Sequence, residues 1–261
     1  MNAQKPPISP NPKHKMPLKW VCLLLAAFTV TAAVAGEVGW RIGTKNAQDA
    51  ATQEREDYMS KYSVGRSLLY GRMTESWTKC LGLLSADVVF LGDSITAGGE
   101  WQTYFPFLDT INLGVVGDTT DGVLRRVEQV RAIIPEKCFL LIGINDLIYN
   151  RTCQEILEDF NAMLTELDAV TAETGTRVYV QSVLPVVEGE RMKDVTNAQI
   201  RELNKGIRAL AEAHGLPYLD VHSVLADENG MLKAAYSRDG LHLSELGYEV
   251  WQNALYPYVD E

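Results

Sequence analysis

Cysteine and histidine are both scarce in this chain: 261 residues carry four of each. Cys22, Cys80, Cys138 and Cys153 do not fall at metal-ligand spacing, and none has a histidine nearby in sequence. That excludes a zinc ribbon and a disulfide-dense small domain. No lipobox-like small residues precede Cys22, which excludes a lipoprotein cleavage site. Cys138 stands in an apolar run and reads as a buried small side chain. Cys80 and Cys153 are candidates to pair if the body is exported, although spacing alone does not bring them together. Basic residues are few outside the first 35 positions. Those positions hold Lys5, Lys13, Lys15 and Lys19 and no acid, leaving 20 basic against 34 acidic residues in the rest, a balance of −14. A nucleic-acid groove needs clustered Lys and Arg to displace counterions, so no nucleic-acid partner is expected. There is no internal repeat, and no low-complexity segment beyond a Pro-containing leader. The composition, 46% hydrophobic with 20 Gly and 10 Pro, is that of an ordinary globular protein.

One long apolar run is present. Trp20 to Gly36 is 17 residues without a charge, bounded by Lys19 and Glu37 and preceded by a basic leader. Positive charge before an apolar run reads as an export signal with the N-terminus in the cytoplasm. Ala33-Val34-Ala35 offers a cleavage site after Ala35; the run, extended through Val38–Trp40, also reaches the length of a membrane anchor. Both outcomes stay open, and both place the body outside the cytoplasm, either anchored facing outward or secreted or periplasmic. The expected organisation is a leader over 1–19, a signal peptide or transmembrane anchor over 20–40, a polar helical stalk over 41–85 and a folded body over 86–261.

Within the body, short apolar runs alternate with longer segments of helical period. The runs are Val88–Leu91, Ile111–Leu113, Phe139–Ile142, Val178–Val180 and Tyr218–Val221. Between them, Val123, Leu124, Val127, Val130 and Ile134 share one helical face, as do Ile156, Phe160, Met163, Leu164 and Leu167, and then Ile200, Leu203, Ile207 and Leu210. Strand and helix in alternation predict an α/β fold with a mostly parallel sheet and helices on both faces. Right-handed crossovers then leave every strand's carboxyl end on one edge, where such sheets bind ligands.

Small and polar residues gather behind the first three runs: Gly92-Asp93-Ser94-Ile95-Thr96, Gly114-Val115-Val116-Gly117-Asp118-Thr119-Thr120 and Gly143-Ile144-Asn145-Asp146. A serine at a strand-to-helix turn can expose its Oγ while its N–H faces a helix N-terminus, which suits a nucleophile; equally, Asp93 and Ser94 can simply cap a helix. Gly117, lacking a Cβ, can bring a backbone N–H close to a substrate oxygen or can make a tight turn. Asn145 can donate its side-chain amide to that oxygen or form an Asx turn. The surroundings of Ser94 are not a Gly-x-Ser-x-Gly elbow, so the α/β-hydrolase fold is disfavoured. A nucleophilic serine needs a base and a carboxylate to orient it. Asp239 and His242 are three apart, so one tight turn presents both; the competing reading is a helix start capped by Ser244. Among the other histidines, His14 lies in the leader, His214 ends an amphipathic segment, and His222 is the one rival base.

Taken together, Gly92-Asp93-Ser94-Ile95-Thr96, Gly114-Val115-Val116-Gly117-Asp118-Thr119, Gly143-Ile144-Asn145-Asp146 and Asp239-Gly240-Leu241-His242 resemble, in order and separation, the four blocks of the SGNH (GDSL-type) serine esterases. The likeness runs from about residue 86 to the C-terminus, with no departure at the signature residues. It implies a three-layer α/β/α flavodoxin-like sandwich and a serine esterase without metal or organic cofactor. By position it implies Ser94 as nucleophile, His242 as base, Asp239 as its partner, and the Ser94 N–H, Gly117 and Asn145 as oxyanion donors. Gly98-Gly99-Glu100-Trp101, Gly117-Asp118-Thr119-Thr120 and Gln181-Ser182-Val183-Leu184-Pro185 are similar to the branch of platelet-activating-factor acetylhydrolase subunits and bacterial carbohydrate acetylesterases. The resemblance thus implies a short-chain, acetyl-type ester on a carbohydrate or other small exported molecule. Trp101, Tyr104 and Phe105 are candidates to line the substrate groove, Trp101 foremost. The alternatives are a lysophospholipase or other lipid acyl hydrolase, an acyltransferase, or an envelope-anchored binding module that keeps the fold without turnover.

Overall fold

The computed structural model of the chain describes residues 85–189, 192 and 194–260. The leader, the apolar segment, the stalk, His14, Cys22 and Cys80 lie outside the described residues. Among the described residues no helix is long and apolar enough to cross a membrane.

Five strands form one parallel sheet in the order β2-β1-β3-β4-β5: β1 (Val88–Gly92), β2 (Thr110–Gly114), β3 (Lys137–Leu141), β4 (Arg177–Gln181) and β5 (Tyr218–Leu219). The inner strands β1 and β3 are buried at every position, which is why they read as unbroken apolar runs rather than as alternating patterns. One face is aromatic: Phe90, Phe139 and Tyr179 sit side by side in register and stack on one another. Trp101 and Trp251 close over that face. The opposite face, Val89, Leu91, Cys138, Leu140 and Val180, is wholly sealed from solvent.

Nine α-helices and a short 3-10 turn (Ala234–Tyr236) accompany the sheet among the described residues. The α-helices are α1 (Ser94–Ala97), α2 (Trp101–Tyr104), α3 (Thr120–Leu124), α4 (Glu128–Ile133), α5 (Ile144–Ile148), α6 (Cys153–Thr174), α7 (Asn197–Ala213), α8 (Val221–Leu225) and α9 (Glu245–Val259). The longest, α6, starts at a Thr152/Glu155 capping box and stops at Gly175, whose φ of 78° suits a residue without a Cβ. Its stripe Ile156, Phe160, Met163, Leu164 and Leu167 is buried, as are Ile200, Leu203 and Ile207 of α7, while Leu210 is half-buried.

Two sequence expectations change. The single helical face from Val123 to Ile134 is in fact two short helices, α3 and α4, joined by a turn at 125–127. Arg126 turns its guanidinium inward at that turn, and Ile134 ends α4 in the left-handed region with φ 54° and 59% exposure, so it is not a core residue. The last strand is two residues long, because Asp220 already caps α8 by accepting from Ser223 N.

In this order the chain leaving the carboxyl end of β1 goes to one side, to β2, and the chain leaving β3 goes to the other, to β4. That reversal is the place where an open parallel sheet forms its crevice. Ser94 begins the helix that leaves this point.

Candidate active site

Asp93, not Ser94, supplies the helix cap that the sequence allowed to either residue. Asp93 is the N-cap of α1: its Oδ1 accepts from Ile95 N at 2.9 Å. Ser94, the first helical residue, stays half-buried and turns its Oγ to His242 Nε2 at 3.1 Å. His242 Nδ1 lies 2.8 Å from Asp239 Oδ2. The other carboxylate oxygen, Oδ1, accepts from Leu241 N at 3.0 Å and His242 N at 2.8 Å. Gly240 makes the turn at φ 94°, and Ser237 Oγ accepts from Gly240 N at 2.7 Å. Burial pushes the Asp239 carboxyl up, but the hydrogen bonds from the His242 ring, His242 N and Leu241 N together outweigh it and hold the group at about 2. An ionised carboxylate only accepts, so it fixes the proton on His242 Nδ1 and turns the Nε2 lone pair toward Ser94. Ser244 caps α9, accepting from Gly247 N at 3.2 Å, as the capping reading of that stretch expects.

The second and third polar blocks meet each other. Gly117 turns the chain after β2 with φ 70°, and Thr119 caps α3 by accepting from Gly122 N at 3.3 Å. Asn145, buried in α5, donates from Nδ2 to the Asp118 carbonyl at 2.8 Å. An amide nitrogen has two hydrogens, so one can anchor the Gly117 loop while the second serves another acceptor.

Beneath these residues lies a layer that sequence reasoning missed. Asp146 accepts from Thr120 N at 3.0 Å, Thr120 Oγ1 at 2.8 Å and Arg151 Nη1 at 2.7 Å. Asn112 Nδ2 donates to the carbonyls of Thr96 at 3.1 Å and Gly99 at 3.0 Å, and Tyr248 donates its hydroxyl to Ile95 O at 2.7 Å, so α1 is held from both sides. Arg126 reaches Gly92, Leu113 and Asp118. The signal for Arg126 was available: it lies three residues after Val123 and four before Val130, a charge on a buried stripe. Burial also pushes the Asp93 carboxyl up to about 7, with the Ile95 N–H opposing and the nearby Asp118 and Asp146 carboxylates adding to the rise.

The remaining candidates are engaged elsewhere. Trp101 is corrected: at 2% exposure it stacks on Phe90, ring centroids 3.9 Å apart, and donates from Nε1 to Thr96 O at 3.0 Å. It is a core residue supporting α1 rather than a groove wall, and Phe105 is likewise buried. His222 is buried, and its backbone N–H donates to Ser182 Oγ at 2.7 Å; burial lowers its pKa. His214 pairs with Asp168 at 2.6 Å on the far end of α7. Cys138 is buried, its thiol pushed up to about 12 by burial, and Cys153 is a half-buried free thiol. Among the described residues no three His, Cys, Asp or Glu side chains are grouped to hold a metal.

The model of the GDSL-like lipase/acylhydrolase family matches residues 90–250. A platelet-activating factor acetylhydrolase IB subunit alpha1 from Rattus norvegicus is 28% identical over 168 residues, 62% of this chain and 70% of that protein. An N-acylneuraminate cytidylyltransferase from Streptococcus agalactiae is 25% identical over 213 residues, 82% of this chain but 45% of that protein, so the chain spans less than half of its length. Among solved structures, a Streptococcus pneumonia protein described as a candidate platelet activating factor superposes with a TM-score of 0.65 at 28% identity. It covers 74% of this chain and 94% of that one.

Proposed function

The chain belongs to the GDSL-like lipase/acylhydrolase family, and we propose that it is a carboxylic ester hydrolase that removes short acyl groups, acetyl foremost, from a carbohydrate or another small exported molecule. The observation that carries the mechanism is the continuous hydrogen-bonded line from Ser94 Oγ through His242 to Asp239, at 3.1 and 2.8 Å.

In this mechanism Ser94 Oγ attacks the ester carbonyl as His242 Nε2 takes its proton, and Asp239 holds the imidazole in the accepting tautomer. The Ser94 N–H, the Gly117 N–H and the Asn145 amide stabilise the negative charge that develops on the carbonyl oxygen. Collapse of the tetrahedral species expels the alcohol, which receives the proton from His242. Water, deprotonated by the same imidazole, then attacks the acyl-enzyme, and the imidazolium returns that proton to Ser94 Oγ as the acid departs.

Two features support a short acyl group carried on something other than anionic lipid. One is the likeness to a platelet-activating factor acetylhydrolase subunit; the other is the −14 balance outside the first 35 residues, which opposes direct docking on anionic lipid. The basic leader and uncharged run at Trp20 to Gly36 support delivery across a membrane. The test is a series of p-nitrophenyl esters from acetate to decanoate with the full-length chain. Turnover should fall as the acyl chain lengthens and vanish in Ser94→Ala. A rise toward decanoate overturns the short-chain reading in favour of a lipid acyl hydrolase, and full activity in Ser94→Ala overturns the mechanism.

A further inference from the structure

Three pieces of chain converge beside Ser94: the end of β1, the end of β2 and the loop that carries Gly117. One buried side chain ties them together. Arg126 donates from Nη2 to the Gly92 carbonyl at 2.7 Å, from Nη1 to the Leu113 carbonyl at 2.6 Å and from Nε to the Asp118 carboxylate at 2.8 Å. Its side chain is 1% exposed and that of Asp118 6%. The Asp118 carbonyl accepts in turn from Asn145 Nδ2, so the chain of contacts runs from the nucleophile strand through Arg126 and Asp118 to both side-loop donors.

The partners of this guanidinium distinguish it from an ordinary buried ion pair. Two of its four bonds go to carbonyls at the strand ends, that of Leu113 one residue before Gly114 and that of Gly92 two residues before Ser94. A third goes to the residue directly after Gly117, and the longest, at 3.4 Å, runs from Nη1 to Gln129 Oε1. A planar fork can satisfy three acceptors in fixed directions, whereas an ammonium cannot reproduce that fan. The charge matters as well as the shape. An unpaired carboxylate at Asp118 would stand beside the place where negative charge develops, and the paired arginine offsets it in a region of low dielectric.

We infer that Arg126 is a positioning residue for ester hydrolysis, setting the Gly117 loop and Asn145 against Ser94 so that their donors converge on one oxygen and neutralising Asp118 beside them. This rests on the proposed serine mechanism. A group acting in this way changes the transition state more than the ground state, because the substrate carbonyl gains its negative charge only during attack.

The experiment compares the full-length wild type with Arg126→Lys, Arg126→Met and Asp118→Asn, with Ser94→Ala as control. It reads kcat and KM for p-nitrophenyl acetate, the inhibition constant of a methyl trifluoromethyl ketone that adds to the serine as a transition-state mimic, and Tm. Arg126→Lys should lose about 10- to 100-fold in kcat with KM within about 3-fold of wild type. Ketone affinity should weaken in parallel with kcat/KM, and Asp118→Asn should show the same pattern more weakly. Asp118→Asn is nearly isosteric and carries the test if an Arg126 variant does not fold. Wild-type kcat and ketone affinity in Arg126→Lys and Asp118→Asn, or a loss confined to Tm or to KM, overturns the inference while leaving the serine mechanism standing. A folded wild type that turns over no ester removes the mechanism and the inference with it.

Discussion

Asp239→Asn separates the chemistry of the triad from its architecture. Asparagine keeps an oxygen in the place of Oδ1, which accepts from Leu241 N and His242 N, but puts an NH₂ where Oδ2 now meets His242 Nδ1 at 2.8 Å. Two donors cannot face each other, so the imidazole moves its proton to Nε2 and presents N–H to Ser94 Oγ. It can then no longer accept the serine proton. The loss is one of tautomer and of the negative charge opposite the imidazolium, and it amounts to about 10⁴ in kcat, or about 5 kcal/mol of barrier. Stability should change little, because Asp239 is 21% exposed and its retained backbone bonds are partly screened; a loss under about 1 kcal/mol, or roughly 2–4 °C in Tm, is expected. Asp239→Ala should match the kcat loss but lower Tm further, having given up both backbone bonds. The assay is p-nitrophenyl acetate turnover at neutral pH, with Tm measured on the same samples. A folded Asp239→Asn variant within tenfold of wild-type kcat would refute the assignment of Asp239 as the partner of His242.

The other expectations concern the remaining parts of the site. Asn145→Ala should lower kcat by about 10²–10³ with little change in KM, as measured by steady-state kinetics, if its amide serves the oxyanion; unchanged kcat contradicts that role. Gly114→Ala drives a Cβ into the backbone of Ala97 and Thr96, so it should displace α1 and reduce activity, with a lower Tm; wild-type turnover would show that α1 absorbs the shift. Asp93, fully buried and pushed up from 3.8 to about 7, holds its proton longer in the fold than in the open chain. The native state therefore binds the extra proton between these values. The stabilising contribution is complete below about pH 4 and is lost as pH rises through about 7. Asp93→Asn keeps the Ile95 cap and should flatten that fall in a series of urea unfolding midpoints; a curve of unchanged slope contradicts the burial argument.

How far these features could be read from the residues depends on whether the partner is a side chain or a backbone atom. The strands were legible because an inner parallel strand is buried on both faces, so Val88–Leu91 and Phe139–Ile142 stand out as apolar runs. Ser94, Asp239 and His242 were legible because each lies in a short block of small and polar residues at a strand end or tight turn. What escaped was contact with carbonyls. Arg126 to Gly92 and Leu113, Asn112 to Thr96, and Tyr248 to Ile95 join distant positions, and an acceptor every residue possesses leaves no mark in sequence. The same limit misplaced two residues. Trp101 lies seven positions after Ser94, but its ring turns down onto Phe90 instead of out toward a substrate. Ile134 has the right spacing for the α3–α4 stripe but ends α4 in the left-handed region, which carries its side chain off the buried face.

The central claim is that Ser94 is the nucleophile of an ester hydrolase. Peptide mass spectrometry of the full-length chain after treatment with a fluorophosphonate tests it most directly. The account expects a single phosphonyl adduct on Ser94, formed in step with loss of p-nitrophenyl acetate hydrolysis and absent from Ser94→Ala. Complete inactivation with the adduct on another residue, or a folded and active enzyme that Ser94→Ala leaves unimpaired, would contradict it.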